Sequence, residues 1–234
     1  MTNKFLTLLV LFLCVVTPAS RLLGQDFPIS LKEAVVPREE MRQQILQGIK
    51  EYRYTYSFAK VPFSSYFFAE CYTDGKFTRR YLLTTAMPWN KSDYGKGTLS
   101  LGWNFVTREL VMINDNGFGL WNSRLTLPRD VFDKPSLVVC AEKIQPEVRE
   151  TPGYYPTRNT IYPVLGLLGG ENHNKFVRKT HFTLTSAADF VKGATQYGEK
   201  YCLVIYSYGN QGGGNPPFEV ENRTSDTFRC LPMN

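Results

Sequence analysis

Histidine is scarce in this chain: its 234 residues include two, His173 and His181. Nucleophilic hydrolases set a Ser or Cys beside a His that a carboxylate orients. With two histidines and no Gly-x-Ser-x-Gly elbow, no such triad is legible. Gly212-Gly213-Gly214 is not followed by Lys-Ser or Lys-Thr and opens no helix, so it is no phosphate loop. The two histidines lie eight positions apart, without clustered acids or paired Cys-x-x-Cys spacing, and compose no metal site. Neither a metal nor a cofactor is expected.

Long apolar runs are equally sparse. The longest covers Phe5 to Val16, which is 12 residues, whereas a membrane-spanning helix needs roughly 20. Lys4 precedes it, and Thr17-Pro18-Ala19 then places small residues where a signal peptidase cuts, with Leu22-Leu23-Gly24 as a second possible cut. Residues 1–24 are therefore expected to be a signal peptide, and 25–234 a single secreted domain with no membrane partner. Removing Lys4, and Arg21 with the later cut, lowers the formal charge from +6 to +5 or +4. That mild excess suits an anionic partner without establishing one.

Cysteine is rare too. Cys14 leaves with the leader, and Cys71, Cys140, Cys202 and Cys230 remain. An even count in an oxidising compartment predicts two disulfides in any of three connectivities. Asn90-Lys91-Ser92 and Asn222-Arg223-Thr224 are glycosylation sequons if the host is eukaryotic.

Aromatic side chains are abundant: 14 Tyr and 16 Phe, a composition that favours strands. Asp26 to Ala34 reads as an extended lead-in. Met41, Ile45, Ile49 and Tyr52 recur at helical spacing, so Pro37 to about Glu51 is predicted to be an amphipathic helix packed on a sheet. Tyr52, Tyr54, Tyr56 and Phe58 then alternate with polar residues as in a half-buried strand. Ser65 to Tyr72 reads as a strand, Asp74-Gly75 as a turn, and Phe77 to Met87 as a short helix. Glu109 to Ile113 and Phe118 to Leu127 flank Asn-Gly, the signature of a hairpin. Ser136 to Ala141 is an apolar strand. Residues 144–160, rich in Pro and Tyr, read as a loop or linker. A strand near Ile161 to Leu168, a short helix over Ser186 to Lys192, a central strand over Tyr201 to Tyr208 and a last strand over Phe218 to Cys230 complete the pattern.

Two basic clusters are interleaved with aromatics. Lys76, Arg79 and Arg80 accompany Phe77 and Tyr81, and Lys175, Arg178 and Lys179 accompany Phe176 and Phe182. Single-stranded nucleic acid is bound by this combination of stacking and phosphate contact, and His181, next to the second cluster, is placed to approach a phosphate. The same pattern also describes an ordinary amphipathic element with solvated charges.

Two segments carry a resemblance. Tyr66-Phe67-Phe68-Ala69-Glu70-Cys71-Tyr72-Thr73-Asp74-Gly75-Lys76-Phe77-Thr78 leads on to Thr85-Ala86, and Lys200-Tyr201-Cys202-Leu203-Val204-Ile205-Tyr206 precedes a Gly-rich loop and Asp226-Thr227-Phe228-Arg229-Cys230. Together with Tyr162-Pro163-Val164, Gly169-Gly170 and Arg178, they resemble the ribonuclease-like secreted effectors of powdery mildew fungi, proteins similar to fungal guanyl-preferring ribonucleases. The resemblance implies an α+β fold, a twisted antiparallel sheet packed against one main helix. That ribonuclease-like core would carry an N-terminal extension and an insertion from Asn90 to Pro156. It implies Cys71–Cys230, which leaves Cys140–Cys202.

The catalytic pattern is not kept. The position of the family's general base falls on Ile161, and Tyr206-Ser207-Tyr208-Gly209-Asn210 holds no His for the acid. The implied state is a virulence-type scaffold without ribonuclease chemistry that binds a host protein or RNA. The candidate contacts are Lys76, Arg79, Arg80, Lys175, Arg178, Lys179 and His181. A second reading is an active secreted ribonuclease using His181, Arg178 and Glu199 or Glu171. A third is a β-rich module for a small ligand or carbohydrate, with Trp103 and Trp121 as stacking candidates, although core packing is the better default for both.

Overall fold

In a computed structural model, residues 26–86, 95–116, 120–151, 157–169 and 183–211 are described. Eleven strands and two helices follow one another along these residues. They are β1 (Ile29–Ala34), α1 (Arg38–Leu46), β2 (Ile49–Phe58), β3 (Ser64–Thr73), β4 (Lys76–Ala86), β5 (Lys96–Asn104), β6 (Glu109–Asp115) and β7 (Leu120–Thr126). After them come β8 (Leu137–Cys140), β9 (Glu147–Thr151), β10 (Thr157–Leu168), α2 (Ala187–Gln196) and β11 (Tyr201–Asn210). Every ladder is antiparallel.

The strands form two sheets. One runs β1-β2-β5-β6-β7, and the other runs β4-β3-β11-β10-β8 with β9 added to β10. Alternation decides which side chains meet between them. From the first sheet, Tyr54, Tyr56, Phe58, Leu99, Leu101, Trp103 and Met112 point inward; from the second, Phe67, Ala69, Cys71, Leu203 and Ile205 do. These make one buried core shared by both sheets, the arrangement of a β-sandwich.

The second sheet is covered on its outer face as well. Tyr66, Phe68, Val204, Tyr206 and Tyr208 pack there, with Ala187, Phe190, Val191 and Ala194 of α2 in the same cluster. Burial on both faces explains why β3 and β11 read as nearly continuous apolar runs. Gly166 of β10 seats the helix: a Cβ there would stand 2.6 Å from the Phe190 ring. Ser186 caps α2, its Oγ accepting from the Asp189 N–H at 3.1 Å.

The α+β expectation holds in its coarse form: antiparallel sheet with a helix packed on it. The helix that packs is α2, and strands dominate. The helix expected over 37–51 is shorter and buries none of its residues. Gly48, at φ +70°, ends it, and Ile49 opens β2 instead of extending the helical stripe.

The helix expected over Phe77 to Met87 is strand β4. Asp74 and Gly75 both have positive φ, 50° and 75°, the backbone of a tight hairpin turn that commits the chain to pairing with β3. The expected linker at 144–160 contains β9 and the start of β10, paired from Thr151↔Thr157 to Glu147↔Ile161.

The expected Cys140–Cys202 bridge is absent, and both thiols are free. Cys140 pairs with Leu165 of β10 and Cys202 with Leu168 on its other side. Two strand spacings amount to about 9.5 Å, beyond the roughly 7 Å that a disulfide spans between Cα atoms. The two thiols also serve opposite faces, Cys140 against the inter-sheet core and Cys202 in the helix-side cluster. Cys230 lies outside the described residues, and with it the Cys71–Cys230 pairing and the strand expected at 218–230.

Candidate functional site

The outer face of the second sheet buries a charge. Glu70 on β3 is 1% exposed, which is tolerable only if its lone pairs are filled. Arg149 of β9 donates from Nη1 to Oε1 at 2.5 Å and from Nη2 to Oε2 at 2.9 Å. Arg80 of β4 donates to Oε1 from Nε at 2.9 Å and from Nη2 at 2.6 Å. The Tyr72 hydroxyl donates to Oε2 at 2.8 Å. Five donors converge on two oxygens.

Aromatic rings hold the two guanidinium groups in place. Arg149 lies 5.1 Å from the centroid of Tyr206, and its Nη2 donates to that hydroxyl at 3.0 Å. Tyr206 stacks on Phe68 at 5.1 Å, and Arg80 sits 5.9 Å from Phe68 and 5.4 Å from Phe77. Glu147 ties the cluster to the helix. Its Oε2 accepts from Arg149 at 3.2 Å and its Oε1 from the Ala187 N–H, at the positive end of α2.

Burial pushes the Glu70 carboxyl up, but the hydrogen bonds and charges of Arg149 and then Arg80 outweigh it and hold it below the ordinary range. Burial raises the Tyr72 and Tyr206 hydroxyls, with Glu70 adding to both. The same desolvation takes the Cys140 thiol to about 11 and Cys202 to about 12, so neither is a ready nucleophile.

Beside this cluster opens a groove of about 760 Å³. Tyr72, Tyr206 and Arg149 line one side, Ala188, Val191 and Lys192 of α2 the other.

A second surface lies at the end of the first sheet. Val35 is 91% exposed, Ile45 66%, Leu46 88% and Val106 79%. Between α1, β2 and Phe105 runs a cleft of about 370 Å³ that Met41, Ile45 and Ile49 line. The Phe105 N–H bonds the Gly48 carbonyl at 2.8 Å, fixing the β5–β6 turn to the end of α1. Arg53 holds the base of the helix through Glu40 at 2.7 Å and Glu51 at 2.8 Å.

The predicted contact residues are not one patch. Lys76 is exposed, but Arg80 is spent on Glu70, and Arg79 stands opposite Cys71 with its Nη1 buried. Lys175, Arg178, Lys179 and His181 lie outside the described residues, as do His173 and Glu171. Glu199 is buried near Cys202, and Ile161 is buried in the helix-side cluster. Trp103 is a core residue, edge-on to Phe132 at 5.8 Å, and Trp121 is half-buried with its indole nitrogen enclosed. Trp103 therefore cannot be a sugar platform.

Sequence reasoning overlooked Arg149 and Glu147 because they fall in the stretch read as linker. The available signal was the i, i+2 spacing of Glu147 and Arg149, which puts an acid and a base on one face of a strand. Among the described residues no group of three or more His, Cys, Asp or Glu is placed to hold a metal, and no helix is long and apolar enough to cross a membrane. Comparison with protein-family models, with curated proteins and with solved structures finds no match to this chain.

Proposed function

We propose that the chain is a secreted, non-catalytic binding protein of the effector type, acting by docking on a host protein. The observation that carries this reading is the apolar surface around α1. Four aliphatic side chains stand largely in water on an ordered helix and its neighbouring turns, and such patches mark interaction surfaces. On and beside α1, Arg38, Arg42 and Lys50 stand exposed with Glu39 and Glu40. A rim of both signs favours an apolar partner segment flanked by both signs over a polyanion.

Glu70, the buried carboxylate of this face, is not available as a general base. A general base needs a free lone pair and an affinity for protons near the working pH. Glu70 has its oxygens filled by two arginines and a tyrosine, which lower its affinity for protons. The ribonuclease-like scaffold rests on the segments around Tyr66 and Tyr201, and secretion rests on the apolar run behind Lys4.

The test uses the mature protein beside an Ile45→Asp/Leu46→Asp variant. Proteins retained from host tissue are identified, purified and titrated against both forms. We expect a partner whose affinity falls about tenfold or more in the variant, with the unfolding midpoint unchanged because both side chains are exposed. Binding that is unaffected by the double substitution, or RNA cleavage by the wild type, would overturn the reading.

A further inference from the structure

We infer that the groove between α2 and the Tyr72–Tyr206 floor is a binding site for a small organic anion with an apolar body, such as an aryl or alkyl carboxylate or sulfonate. This inference is independent of the protein-docking surface at α1.

The space comes first. A volume of about 760 Å³ falls within the range of small-molecule sites, roughly 300–1,000 Å³. It stays open because the first turn of α2 presents only the methyl groups of Ala187 and Ala188 toward the Tyr72 side. The turn at Gly75 closes one end. A Cβ on Gly75 would come 2.7 Å from Thr195 Oγ1, so the hairpin abuts the helix there. Val191 and the two tyrosine rings make most of the surface apolar.

The charge comes from Arg149. Its bonds to Glu70, Glu147 and Tyr206 engage Nη2 and one proton of Nη1. Nε–H and the second Nη1–H remain as donors, on a side chain that is 32% exposed and lines the groove. A guanidinium already fixed on a buried carboxylate and an aromatic face is pre-organised for a second anion, since no rotamer freedom is lost on binding. Lys192, exposed on α2, adds a second cation to the rim.

The acids nearby are mostly engaged. Glu70 is balanced by Arg80, Glu147 has one oxygen on Arg149 and the other on the Ala187 N–H, and Asp74 stands at the closed end, in the turn whose N–H bonds the Lys200 carbonyl. A cationic ligand would meet Arg149 and Lys192 beside the groove's middle, with Asp74 confined to its closed end, and a neutral apolar one would leave the Arg149 donors unanswered.

The experiment titrates the mature protein with 8-anilinonaphthalene-1-sulfonate and with uncharged N-phenylnaphthylamine, reading fluorescence. Three forms are compared: wild type, Ala188→Phe/Lys192→Glu, and Ile45→Asp/Leu46→Asp. The changed positions on α2 are exposed, and thermal unfolding confirms that each variant is folded. We expect one equivalent of the sulfonate to bind the wild type. Loss of the sulfonate's charge-assisted contacts, in the uncharged probe or in the α2 variant, should weaken binding about tenfold. The α1 variant should bind as wild type does. Equal affinity for the two probes would overturn anion recognition. Binding that is lost in the α1 variant and kept in the α2 variant would place the probe on the apolar patch and overturn the site, as would no binding to the folded wild type.

Discussion

Arg149 and Glu70, 79 residues apart in sequence, form a two-point ion pair across the outer face of the six-stranded sheet. The pair fixes the β9–β10 hairpin over β3, and through Glu147 it also fixes the start of α2. One buried carboxylate thereby locates three elements.

Breaking this pair from the arginine side leaves buried Glu70 with Arg80 as its one charged partner among the described residues, beside the Tyr72 hydroxyl. Arg149→Met should cost about 3–5 kcal/mol. Urea unfolding checks this, and adding Glu70→Gln to the variant should recover part of the loss by removing the stranded charge. A cost below about 1 kcal/mol, the range of exposed pairs, would show the network to be solvent-screened.

Acid should undo the same network. Glu70 has its folded-state affinity for protons lowered from the usual 4.5. Its contribution is present above that value and is lost as pH falls through the lower folded one. Wild type should therefore lose more stability below pH 4.5 than Glu70→Gln does, read as the unfolding midpoint against pH. Parallel curves for the two proteins would contradict the assignment.

Gly166 lies beneath the Phe190 ring, with three ring carbons 2.6 to 2.9 Å from where a Cβ would stand. Gly166→Ala must lift the helix or turn the ring, at about 1–3 kcal/mol. Thermal unfolding should show the drop, and Phe190→Leu in the same chain should relieve part of it. An unchanged midpoint would mean that α2 is not seated on β10 as described.

Cys140 and Cys202 should both react with a thiol reagent once the oxidised protein is unfolded without reductant, and Cys202 should be protected in the native state. Burial raises both thiols, to about 11 and about 12, so little thiolate exists at neutral pH. Mass mapping of the labelled peptides reads the result. A peptide linking the two cysteines would refute the register across β10.

Several elements were legible from local chemistry. Alternation in Tyr52–Phe58 read as β2, Asn116-Gly117 between β-prone runs as the β6–β7 hairpin, and the apolar run at Tyr201 as a central strand. Asp74-Gly75 reads as a turn, yet the segment after it reads as a helix. Only its pairing with β3 makes it a strand, since Phe77 to Ala86 has no strict alternation. The linker over 144–160 failed for a related reason: β9 gains its order from β10 and from Arg149 reaching Glu70.

What the sequence by itself determined is what depends on near neighbours: strand-forming composition, turn positions, the capped start of α2 and the apolar run from Phe5 to Val16. Tertiary structure decided what depends on distant partners. It separated Cys140 from Cys202 by placing β10 between them, left α1 facing water where a packed helix was expected, and brought Glu70, Arg80, Arg149, Tyr72 and Tyr206 onto one face. Hydrogen bonds and ion pairs act over a few ångströms in space whatever the separation along the chain. Residues from β3, β4, β9 and β11 become neighbours only after the sheet has ordered its strands.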